Sequence, residues 1–137
     1  MNELSYTIKT YRNGSASYNT PHFFLLNKGL NSGRPMNKPC PNCFVITTET
    51  EEIRDSLFYL TLSLKEGRFF KYYLKGSVIL FITIDDTRKV LNTALRNYEQ
   101  QNWELKVQKL KQISAYESNL KQQIATIEKL KLALLRT

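Results

Sequence analysis

Every proline (Pro21, Pro35, Pro39, Pro41) and every glycine (Gly14, Gly29, Gly33, Gly67, Gly76) lies in the first 76 of the 137 residues. The rest of the chain carries no backbone breaker and is free to run as helix, while the first part must turn repeatedly. The asymmetry divides the chain into an α+β head over residues 1–85 and a helical tail over residues 86–137. A head of that length is marginal as a single hydrophobic core, so the tail or a second subunit is expected to add burial.

In the head, Leu4, Tyr6, Ile8 and Thr10 alternate with Ser5, Thr7, Lys9 and Tyr11, the two-residue period of a half-buried strand. The serines and Asn13-Gly14 predict a turn before a second strand over residues 22–26, whose apolar run implies burial on both faces. Residues 27–43 hold two glycines, three prolines and four asparagines, which exclude regular structure for most of that stretch. A third strand is expected at residues 44–48. Thr48 with Glu51 reads as a capping box opening a helix, and Ile53, Leu57, Leu60 and Leu64 form one apolar stripe that ends at Gly67. Residues 68–74 and 77–84 read as two strands joined at Lys75-Gly76, the alternative for residues 68–74 being an extension of the helix. The expected fold is a small, mostly antiparallel sheet with one packed helix, followed by a long C-terminal helix or helical hairpin.

Asp85 and Asp86 suit the start of the tail, where a carboxylate meets the positive end of the helix dipole. Leu110, Ile113, Leu120, Ile124, Ile127 and Leu134 step by threes and fours, with Glu117 and Lys131 in the two remaining seam positions. That seam has coiled-coil character and points to a homo-oligomer, a dimer through the C-terminal helix; the competing reading folds the distal helix back over its own sheet. Leu91, Leu95 and Tyr98 form a different stripe, separated by Glu99-Gln100-Gln101-Asn102, so the tail is either one helix changing partners or two helices meeting near Asn102.

Lysine and arginine total 20 against 12 acidic residues, a net charge of +8 that favours DNA, RNA or another polyanion as partner. The cations proposed to meet it are Lys28, Arg34, Lys38, Arg68, Lys71 and Lys75. Three of them sit among aromatics in the run from Arg68 to Lys75, where rings can stack on bases while cations neutralise phosphates; the competing reading turns Phe70 and Tyr72 inward. Residues 28–34, with Gly29 and Gly33, resemble a phosphate-binding loop in composition but lack its GxxxxGK[ST] order.

Cys40-Pro41-Asn42-Cys43 has the spacing of half a zinc site, and His22 is the only imidazole available to extend it. Closing such a site takes His22 with a carboxylate, or two chains sharing one ion. A redox role is disfavoured because Cys43 leads into an apolar strand rather than a helix N-terminus. Two reduced thiols shaping a proline turn is the favoured reading, with zinc the only cofactor the pattern admits. No Ser-His-Asp order assembles around His22, which leaves catalysis open but unsupported, and the favoured reading is a non-enzymatic binding protein that contacts nucleic acid or a nucleoprotein. The longest apolar run, Val78 through Ile82, is far shorter than the ~18 residues of a membrane span. No apolar signal core opens the chain, and a cytoplasmic location without a membrane partner is expected.

The strings PHFFLLNKGLNSGRP and CPNCF, followed by GSVILFITI, resemble a family of small uncharacterised proteins from Bacteroidetes and their mobile elements. That resemblance implies a gut-bacterial or phage-associated source and brings no activity or site with it. A small β-rich unit passing into a long helix is also distantly similar to half of a type I restriction specificity subunit, in which the head reads DNA, although no recognition motif matches. The principal alternative is a protein-interaction adaptor or accessory regulator of host machinery.

Overall fold

In the computed structural model, which describes residues 5–12, 18–97 and 103–137, four strands form one antiparallel sheet. They are β1 (Thr7–Thr10), β2 (His22–Leu26), β3 (Pro35–Met36) and β4 (Cys43–Thr47), in the order β1-β4-β2-β3. Continuous apolar runs took the centre: Phe23, Phe24 and Leu25 of β2 and Cys43 through Ile46 of β4 are all buried. The alternating segment became an edge, with Ile8 the buried residue of β1.

Pairing of His22 with Thr47, Phe24 with Val45 and Leu26 with Cys43 sets which side chains share a face. Phe23, Leu25, Phe44 and Ile46 point to one side, where they meet Leu57, Leu60 and Leu64 of α1 (Glu51–Glu66) and Val90 and Leu91 of α2 (Ile84–Arg96). Phe24, Cys43 and Val45 point to the other, covered by Tyr11, Tyr18, Met36 and Cys40. Two helices therefore pack on the sheet where one was expected. The proximal stripe of the tail explains the second: Leu91 is fully buried and Leu95 packs beside it, while Tyr98 lies outside the described residues.

Helix α1 starts two residues later than the predicted box. Thr48 is buried and its amide bonds to Pro21 O, extending the sheet, so Thr50 becomes the cap and accepts from Ile53 N at 3.1 Å. Helix α2 is likewise capped by Thr83, which accepts from Asp86 N, and Asp85 and Asp86 fall in its first turn.

The two strands expected over residues 68–74 and 77–84 do not form. Phe70 is drawn into the core, and a short 3-10 turn follows at Lys71–Tyr73. The next segment is held only by single bridges of Phe81 to Lys75 and to Lys28. Gly76 turns it at φ 105°, and of the run from Val78 to Ile82 only Ile82 is buried in the core, leaving Val78 and Ile79 exposed.

The tail holds two helices among the described residues, α2 and α3 (Trp103–Leu135). Residues 1–103 form one compact unit and residues 104–137 a second. Helix α3 is continuous over 33 residues, about 50 Å at about 1.5 Å per residue. No helix among the described residues is long and apolar enough to cross a membrane.

Candidate functional site

The end of α1 builds a cleft of about 220 Å³ lined by Leu30, Ser32, Lys65, Arg68, Phe70 and Lys71. Its floor follows from how the helix stops. Gly67 caps the helix, Arg68 takes the left-handed conformation at φ 66°, and Phe69 N returns to Leu64 O at 3.0 Å while Arg68 N bonds to Lys65 O at 3.1 Å. This pair of bonds is a Schellman ending, whose left-handed position is normally glycine. Beyond this left-handed position Phe70 is buried in the core and Lys71 emerges on the rim. Three cations, Lys65, Arg68 and Lys71, thereby converge. None of them pairs with a carboxylate among the described residues.

The opposite wall is the turn over residues 29–33. Gly33, at φ 96°, lies so close to Phe70 that an added Cβ would come within 2.3 Å of the ring. The Ser32 hydroxyl donates to Gly29 O at 2.7 Å, closing the turn. The phosphate-loop comparison fails here: the amides of Gly29, Ser32, Gly33 and Arg34 are bonded to Leu80 O, Gly29 O, Leu26 O and Asn31 O. The positive charge lining the cleft is carried by side chains and not by those amides.

Aromatic rings flank the cations. Phe70 is buried, as the inward-facing reading of this segment required, but Tyr72 is 85% exposed and Phe69 59% exposed. Tyr72 is not loose: its ring stands edge-on against Tyr73 at 5.1 Å, and Tyr73 packs against the core. The Phe69 ring lies over Gly67. Exposed, anchored rings thus stand beside the cations Arg68 and Lys71.

Of the six cations singled out from the sequence, Arg68 and Lys71 meet in this cleft. Lys75 is committed elsewhere, with its ammonium 3.0 Å from the buried carboxylate of Asp86. Lys28 lies across the Phe81 bridge from Lys75, while Arg34 and Lys38 are exposed before and after β3; none of these three lines the cleft.

The cysteine pair sits on the other face of the sheet. Cys43 opens β4 fully buried and donates through Sγ to Cys40 O at 3.1 Å, while Cys40 Sγ donates to Asn42 O at 3.4 Å. Burial pushes the Cys43 thiol up to about 11, so it stays protonated at neutral pH, unlike a nucleophilic thiolate. His22 shares that face but pairs with Thr47, at the far end of the ladder from Cys43 and about 13 Å from it by strand rise. Its Nδ1 lies 2.8 Å from Thr20 O, and its ring packs on Phe24 and Tyr18. The register thus keeps His22 out of reach of an ion held by Cys40 and Cys43. Among the described residues, no three His, Cys, Asp or Glu side chains are grouped to hold a metal ion.

A model of a family of unknown function, DUF6943, matches residues 8–137. The chain belongs to that family. No curated protein and no solved structure matches it. The DUF6943 match takes in the sheet, the cleft and α3 alike, and it assigns no site.

Of the polar members of the cleft, Lys65 escaped the sequence reading and Ser32 entered it only within the 28–34 loop. Lys65 reads as an ordinary last-turn cation that complements the helix dipole. Ser32 reads as a loop residue. The signal that joins them to Arg68 is the position of Gly67, one residue too early to be the left-handed position of the helix ending.

Proposed function

We propose that this protein is a non-enzymatic binder of single-stranded nucleic acid, with the backbone phosphates met by Lys65, Arg68 and Lys71 and bases stacked on Phe69 and Tyr72. The observation that carries the reading is Arg68 itself. A non-glycine residue in the left-handed region costs stability, and here the cost places a guanidinium on the cleft between two other cations. Exposed aromatics beside those cations favour a single strand over a duplex, because paired bases hide the faces on which rings stack.

The test compares one short oligonucleotide, single-stranded and as duplex, binding to the wild type and two variants at low salt. Changing Lys65, Arg68 and Lys71 together to Ala abolishes binding of both forms. Phe69→Ala with Tyr72→Ala removes the preference for the single strand, a loss of about tenfold or more at roughly 1–3 kcal/mol per stacked base. Undiminished binding by the triple variant would reject the site. Salt-insensitive capture of one protein partner, with no affinity for either nucleic acid, would support the adaptor reading instead.

A further inference from the structure

We infer that α3 pairs with the α3 of a second copy of this chain, and that the two helices run antiparallel. The surface is unpartnered: Ile113, Leu120, Ile124, Ile127 and Leu134 are between 41% and 75% exposed on one stripe of the helix. Helices with such a stripe gain stability by covering it, since apolar area left in water contributes nothing to the fold.

The two charged seam positions decide the direction. In a parallel pair in register, Glu117 faces Glu117 and Lys131 faces Lys131, two like-charge contacts inside the interface. Reversing one helix and centring the pair on the midpoint of the seam sets Leu110 opposite Leu134, Ile113 opposite Lys131, Glu117 opposite Ile127 and Leu120 opposite Ile124. Every seam position then finds another seam position. Glu117 comes within one turn, about 6 Å along the axis, of the second copy's Lys131, close enough for opposite charges to meet. On the rim, Tyr116 and Leu130, 65% and 60% exposed, come within two residues of facing each other in this register, about 3 Å along the axis. In a parallel pair Tyr116 would flank Lys121 instead.

Within one chain Glu117 already pairs with Lys121 at 3.3 Å, an exposed contact worth little by itself. Glu117→Lys therefore distinguishes the two directions. It exchanges one like-charge contact for another in the parallel pair and leaves that pair unchanged, whereas it turns two attractions into repulsions in the antiparallel one. The expected effect is a loss of self-association of roughly ten- to thirty-fold. Adding Lys131→Glu restores it, which an effect confined to Lys121 cannot do, because position 131 lies about three turns from Lys121.

The direct measurement is sedimentation equilibrium on the full chain, followed by a spin-label distance from Gln108→Cys in a Cys40→Ser, Cys43→Ala background. The antiparallel pair puts the labels about 45 Å apart, and a parallel pair about 20 Å apart. A dimer with the long distance and charge-swap rescue supports the inference. A monomer, the short distance or absence of rescue overturns it.

Discussion

Arg68 occupies φ 66°, where an L side chain crowds its own carbonyl at a cost of roughly 1–2 kcal/mol. Glycine at that position removes the crowding, offset by roughly 0.5–1 kcal/mol for the extra freedom of glycine in the unfolded chain. The two backbone bonds of the helix ending, Arg68 N to Lys65 O and Phe69 N to Leu64 O, involve no side chain and persist. Arg68→Gly should therefore stabilise the fold by about 0.7 kcal/mol, raising Tm by about 3 °C for a chain of this size. The same change removes one of three cations in the cleft. At about 0.7 counterions per phosphate contact of a single strand, the slope of log affinity against log salt should fall in magnitude from about −2.1 to about −1.4. Arg68→Lys keeps both the crowding and the charge, so it should leave stability and slope near the wild-type values. Urea unfolding and oligonucleotide anisotropy across a salt series measure the two effects. A less stable glycine variant would show that the left-handed arginine is not strained, and an unchanged slope would show that Arg68 does not meet the ligand.

Gly33→Ala should destabilise the protein by about 3 kcal/mol, combining left-handed strain with the clash against Phe70; a loss below about 1 kcal/mol in urea unfolding would mean the turn is looser than its geometry implies. Arg54 donates through Nε to His22 O at 3.0 Å and lies 4.8 Å over the Phe58 ring, so Arg54→Ala should cost about 2 kcal/mol, measured the same way. The Lys75 ammonium, and after it the Thr83 hydroxyl, hold the Asp86 carboxyl below its ordinary value although burial opposes them. That contribution is present above the unfolded carboxylate pKa and is lost as pH falls through the lower folded value; Lys75→Ala should flatten the acid limb of a stability–pH curve.

The sheet was legible because its central strands are short, continuous apolar runs bounded by turn residues, and β2 falls on residues 22–26 as read. Helix α1 was legible from one stripe and a glycine. The segment after it was misread for a physical reason: alternation of aromatics and cations suggests a strand, but a single residue, Phe70, takes the burial and the Schellman ending fixes its approach. Nothing in the local pattern distinguishes these outcomes. The cap of α1 shifted because Thr48 had a competing bond to Pro21 O in the sheet, a tertiary partner invisible to a local motif. The cleft was half legible: Arg68 and Lys71 stood out as cations among rings, whereas Lys65 and Ser32 join them only through the fold. Charge also overstated the site, since the ammonium of Lys75 is held at a buried carboxylate rather than offered to a ligand.

The most direct test of the central claim is to follow the backbone amides by nuclear magnetic resonance while a short single-stranded oligonucleotide is added. The largest shifts should fall at residues 65–72 and 30–33, fading as salt is raised, with little change at residues 40–43. Shifts confined to α3 or to the cysteine turn, or no shift at low salt, would contradict that claim.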